Sequence, residues 1–181
     1  MTAQPAAWRI GVGDVLVITG TSVTSKLIEI GEVAAGLPAA SHVAGMHHWD
    51  AHGTPWGLEG RPGGVGWVDL RGYLRDSRTV TNYAQPKTPD QRKQLAALSQ
   101  VLFGTDYDWA GGILADAWRD LGGKDMFTPD PATGAVPMHV VCSSFWAWVY
   151  AHLRLPGPRP GDWRTTEPGD WTAFIERAGW R

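Results

Sequence analysis

The run from Val140 to Leu153 constrains this chain most. Beyond its first turn it is apolar on almost every side of a helix, and such a helix has to be covered all round by the rest of the fold. Trp146 and Trp148 lie on opposite sides of it, so both are expected in the core. Extended Val140-Val141 leads into it, which sets the only cysteine, Cys142, at a strand-to-helix junction with Ser143 and Ser144 beside it. A thiol attacks as thiolate, and the unpaired N–H groups and dipole of a first helical turn favour negative charge. Two readings of Cys142 stand here. It is a small buried hydrophobe, as free cysteines often are, or a nucleophile presented at a turn, which needs a base.

Composition narrows the surroundings. With 181 residues, 43% of them hydrophobic, the chain suits one domain spanning residues 1–181. Its 23 Gly, 13 Pro and 11 Trp point to a loop-rich α/β or α+β protein with many large rings to bury. A formal charge of −2 with scattered Lys and Arg gives no footprint for nucleic acid or an anionic membrane. One cysteine makes no internal disulfide, so no oxidising compartment is implied. Met1 to Ile10 lacks a signal-type apolar segment, and no window has the length of a membrane span. The expectation is a cytoplasmic protein, or a phage-encoded one delivered without a signal peptide. The oligomeric state stays open.

Periodicity predicts the order of elements. Val15 to Thr19 reads as a buried first strand after Gly13-Asp14, and Thr21 to Ala35 as a helix with apolar Val23, Leu27, Ile28 and Ile30, stopped by Gly36-Leu37-Pro38. Ser41 to Trp49 and Pro55 to Gly60 form a hairpin about the turn Asp50 to Thr54. Val65 to Leu70 is a further strand, Asp69 caps a short helix through Leu74, and Thr79 to Tyr83 is the last strand of the group. Helices follow at Pro89 to Phe103, started by Thr88 or Asp90, and at Asp108 to Leu121. Lys124 to Pro137 is a loop long enough for an active-site flap. A Pro-rich arm, Pro156 to Pro168, precedes a final helix, Trp171 to Ala178.

The search for a base leads to His42, at the start of its strand. Alone it reads as scaffold as readily as catalyst. Glu59, on the next strand, has the chemistry to hold the second ring nitrogen if its side chain faces the same way; otherwise it is a solvated turn carboxylate. His52 is an alternative partner for His42, and His139 a modulator of the thiol. His47, His48 and His52 suggest a metal at first glance, but strand alternation sends His47 and His48 to opposite faces and His52 lies beyond a turn. No metal or other cofactor is expected. Gly11-Val12-Gly13 and the glycines of Gly60 to Gly66 lack the spacing of a phosphate or dinucleotide loop. Trp56, Trp67 and Trp109 are candidates to line a groove.

Gly13-Asp14-Val15-Leu16, Ser41-His42-Val43-Ala44-Gly45-Met46, Glu59, Tyr107-Asp108 and Val141-Cys142-Ser143, in that order, resemble the circularly permuted papain-fold cysteine hydrolases of the NlpC-like superfamily, YiiX type. The likeness covers residues 13 to 150. It implies an α+β fold with a central antiparallel sheet packed against helices and the nucleophile at the start of a buried helix. Residue by residue, it implies Cys142 as nucleophile, His42 as base and Glu59 as the group orienting the imidazole, with Tyr107 supporting the groove; Trp56 and Ser41 are further candidates to bind substrate. The family commonly reads Cys-Ser-Glu at the nucleophile, and here Ser144 stands in place of the glutamate. The implied reaction is amide hydrolysis through a thioester acyl-enzyme, with a cell-wall peptide as the expected substrate. The alternatives are a lipid or acyl-chain hydrolase or acyltransferase on the same fold, or a binding protein that has lost catalysis.

Overall fold

The structure, a computed structural model, describes residues 10–75, 79–83, 87–107, 139–159, 163 and 166–179. The helix expected at Asp108 to Leu121 and the loop Lys124 to Pro137 lie outside the described residues. So does Trp109.

An apolar run without alternation belongs to a strand covered on both faces, and β1 (Val15–Ile18) is such a strand, buried throughout. It pairs antiparallel with β2 (His42–Trp49), which forms the expected hairpin with β3 (Pro55–Arg61). β3 pairs in turn with β4 (Gly64–Asp69), and β5 (Thr79–Tyr83) returns to the free edge of β1. The sheet order is therefore β4-β3-β2-β1-β5, antiparallel throughout. A second, parallel pair joins β6 (Asp106–Tyr107) to β7 (His139–Val140). Backbone bonds between Val65 and the Gly104-Thr105 turn tie that pair to the edge of the sheet. The protein is an α+β fold.

Strand alternation sorts the core into two layers. Val15, Val17, Val43 and Leu58 face the helices α3 (Pro89–Leu102), α4 (Cys142–His152) and α5 (Pro168–Arg177). Leu16, Ile18, Ala44 and Met46 face Leu70 and the short helix α2 (Arg71–Arg75). The almost wholly apolar α4 sits where it must, with Phe145, Trp146 and Trp148 fully buried. Trp146 lies across Gly45 and donates its indole N–H to the Leu58 carbonyl at 3.0 Å. Trp171 of α5 donates in the same way to the Ser143 carbonyl at 3.2 Å, and the Ser143 hydroxyl donates to the Thr166 carbonyl at 2.6 Å. The first turn of α4 is thus held from the sheet and from α5.

Three helices refine or depart from the periodicity reading for clear reasons. α5 begins at Pro168 and not Trp171, because proline is at home in a first turn and Asp170 accepts the Glu167 N–H at 2.9 Å. α3 starts on a capping box in which Thr88 and Gln91 exchange bonds, so Thr88, not Asp90, is its cap. The first helix, α1 (Val23–Ala34), is capped by Ser22 but turned about from an ordinary amphipathic helix. Its Leu27 and Ile30 are 64% and 65% exposed, while Glu29 and Glu32 are buried. Glu29 goes inward because the Gly20 N–H, at the end of β1, takes its carboxylate as acceptor at 2.8 Å.

Gly13-Asp14 has a structural role that sequence reading did not assign. Asp14 is buried and accepts from the Gly11 N–H and from Lys87, whose ammonium lies 3.0 Å away. Gly13 adopts a φ of +81°, and a side chain there would run into Lys87.

The close approach of Trp146 to Gly45 gives a stability prediction. A Cβ on Gly45 would lie 2.0 Å from the indole, whereas one on Gly31, in α1, meets nothing within 4 Å. Urea unfolding of Gly45→Ala should show a loss of at least about 2 kcal/mol. Gly31→Ala should gain about 0.5 to 1 kcal/mol from helix propensity. Equal effects from the two substitutions would contradict the packing described.

Candidate active site

The site forms where β2 begins and α4 begins. His42 is the first residue of β2 and pairs with Ile18, the last of β1, so its imidazole stands at the end of the strand pair. Its parity places it with Ala44 and Met46, and Glu59 and Gly57 on β3 face the same layer. Their side chains meet: His42 Nε2 and Glu59 Oε2 are 2.8 Å apart. Nε2 is engaged there, so Nδ1 is the nitrogen left for the thiol.

Cys142 is buried and occupies the first position of α4. The residue before it, Val141, has no side chain with which to cap the helix, so the first-turn N–H groups are left to another acceptor. The sulfur serves as one. Burial pushes the thiol up, but the charged His42 beside it and the N–H groups of Val43 and Ser143 pull it below the ordinary thiol range. The imidazole responds in the opposite sense. Burial opposes its charge, yet the Cys142 thiolate and the Glu59 carboxylate more than offset this and raise His42 to about 10. The favoured pair is thiolate and imidazolium.

Glu59 completes the arrangement from below. It is 2% exposed, and burial alone would push it up, but His42, Tyr73 and Arg61 keep it ionised. The Tyr73 hydroxyl donates to Oε2 at 2.8 Å, and Arg61 reaches Oε1 at 3.3 Å. Neither was found in the sequence. Arg61 was within reach, since it lies two residues from Glu59 and shares its face. Tyr73 carries no such signal, because α2 is brought under β3 only by tertiary packing.

Ser144, at the third position of α4, accepts the Val141 N–H at 3.2 Å. The third position of the helix thus keeps a polar acceptor. The residues expected at the substrate are placed differently. Ser41 is buried beside His42 with its hydroxyl committed to the Gly20 N–H at 2.8 Å and the Ile18 carbonyl at 3.3 Å. Trp56 has the opposite parity from Glu59 and donates its indole N–H to Asp50 at 3.1 Å, so it closes the hairpin turn and does not join the site. Tyr107 pairs with Val140 through its backbone, two residues before α4 begins at Cys142. Its side chain, like that of His139, lies outside the described residues.

His52 is exposed in the Asp50 turn, at the far end of the hairpin from His42. His47 and His48 do not point to opposite faces. The register shifts between Met46 and His48, and the bulge sets the two rings side by side with their Nδ1 atoms 2.9 Å apart and both against Trp67. One imidazole donates and the other accepts. Burial and the neighbouring His48 lower His47 to about 4, which keeps it neutral at neutral pH. Among the described residues no group of three or more His, Cys, Asp or Glu is placed to hold a metal ion, and no helix is long and apolar enough to cross a membrane.

The ion pair links stability to pH on two sides. His42 is raised, so its contribution is complete below about 6.5 and is lost as pH climbs through about 10. Cys142 is lowered, so its contribution is complete above the unfolded thiol value of about 8.5 and is lost as pH falls through the folded one. Where both slopes act they oppose each other, and above about 8.5 only the His42 slope remains. Urea unfolding from pH 5 to 10 should show stability falling above about 8.5, and His42→Gln should remove that alkaline decline. A wild-type profile that superimposes on the variant would contradict the pair. No known protein-family model matches this chain, and no curated protein matches it.

Proposed function

We propose that this protein is a cysteine hydrolase with the circularly permuted papain-like arrangement, acting on an amide bond through a thioester acyl-enzyme. One observation carries the reading: an imidazole held through Nε2 by a buried carboxylate at 2.8 Å, beside the only thiol of the chain at the start of a buried helix. The order of β1, then β2 with the histidine, then α4 with the cysteine supports the permuted arrangement. The resemblance admits both cell-wall peptides and acyl chains, and the Trp-, Gly- and Pro-rich, lysine-poor composition tilts the choice to a cell-wall peptide.

In the mechanism, the Cys142 thiolate attacks the carbonyl carbon and forms a C–S bond as the oxygen takes up negative charge. The first-turn N–H of Cys142 is assigned to that oxyanion. Collapse breaks the C–N bond, and the proton on His42 goes to the leaving amine. Neutral His42 then takes a proton from water, whose oxygen attacks the thioester. The carboxylic acid leaves, and the thiolate and imidazolium are restored. Glu59 stays ionised throughout and keeps Nε2–H in place.

Substitution at the nucleophile tests this directly. Cys142→Ala should fold like the wild type and lose both labelling by a thiol-directed acyl probe and release of amine from peptidoglycan stem peptides. Amine release that persists in Cys142→Ala would end the proposal. Activity confined to acyl esters, and absent in Cys142→Ala, would keep the nucleophile and replace the substrate.

A further inference from the structure

Glu59 Oε2 accepts from two donors at the same distance, His42 Nε2 and the Tyr73 hydroxyl, both 2.8 Å away. A carboxylate that only anchored α2 to the sheet would have a second oxygen to offer Tyr73. Here that oxygen faces Arg61, and the phenol is directed to the atom that holds the imidazole. Tyr73 lies against the histidine as well, with ring centroids 6.0 Å apart. From these contacts we infer that Tyr73 is a positioning residue for the Cys142–His42 pair: its hydroxyl fixes the carboxylate oxygen that orients His42. The inference rests on the hydrolase reading and extends it by one residue.

The physical argument concerns what Glu59 would do without the phenol. The charged and titratable groups around it are His42 from β2, Arg61 from β3 and Tyr73 from α2, with Cys142 of α4 beyond the imidazole. A buried carboxylate stripped of one donor is freer to rotate. A freer Oε2 no longer holds Nε2–H in line, so the ring turns and its positive charge moves away from the sulfur.

The test needs no substrate. The rate of alkylation of Cys142 by iodoacetamide, followed against pH, gives the apparent thiol pKa in the folded protein. Wild type should titrate below the free-thiol value of about 8.5, and Tyr73→Phe should shift the midpoint up by about one pH unit, whatever the accompanying loss in urea midpoint. In a Glu59→Gln background, where the carboxylate is gone, Tyr73→Phe should add no further shift. A merely structural phenol would lower the urea midpoint and leave the alkylation profile in place. A depressed wild-type midpoint that Tyr73→Phe leaves unmoved, or an equal shift with and without Glu59, would overturn the role of Tyr73. A wild-type midpoint at the free-thiol value would instead overturn the hydrolase reading on which it rests.

Discussion

A carboxylate almost wholly withdrawn from water is costly unless donors surround it, and Glu59 is the point in this protein where that cost is met. Its three donors come from three elements: His42 from β2, Tyr73 from α2 and Arg61 from its own strand. The same bonds that make the burial tolerable set the orientation of the imidazole. The chemistry at the sulfur follows, since His42 can stabilise a thiolate only while its charge is itself supported from behind.

The rest of the fold presents Cys142 to that imidazole. α4 is too apolar to lie anywhere but between the sheet and its neighbouring helices, and Trp146 seats it over Gly45. Trp171 and Thr166 fix the Ser143 backbone and hydroxyl from the other side. Val141, unable to cap the helix, leaves first-turn N–H groups to the sulfur. At the other end of β1 from His42, the buried Asp14–Lys87 pair ties the strand's entry to the segment before α3.

What could be read in the sequence was whatever depends on local pattern. The unbroken apolar run of β1, the hairpin about Asp50, the caps and stops of α3 and the buried character of α4 all have local causes. Whether Glu59 faces His42 was left open by the sequence and is answered by the pairing of β2 with β3. What escaped depends on contacts between distant segments. Tyr73 reaches Glu59 only because α2 folds beneath β3, and Lys87 finds Asp14 across 73 residues of chain. The bulge that brings His47 beside His48 breaks the alternation from which their faces were inferred. α1 shows the limit of periodicity itself: its apolar spacing marked a helix correctly, but a backbone N–H at Gly20 drew Glu29 inward and turned Leu27 and Ile30 to the surface.

Folding brings Cys142 and His42, far apart in sequence, into a pair that favours thiolate and imidazolium. The protonation of His42 at neutral pH reports on this pair directly, through the ¹⁵N chemical shifts of the ring measured by long-range ¹H–¹⁵N correlation on wild type and Cys142→Ser. Both ring nitrogens of His42 should carry protons in wild type at pH 7.5, and the ring should become neutral when the thiolate is replaced by a hydroxyl. A neutral His42 in wild type under those conditions would contradict the pair.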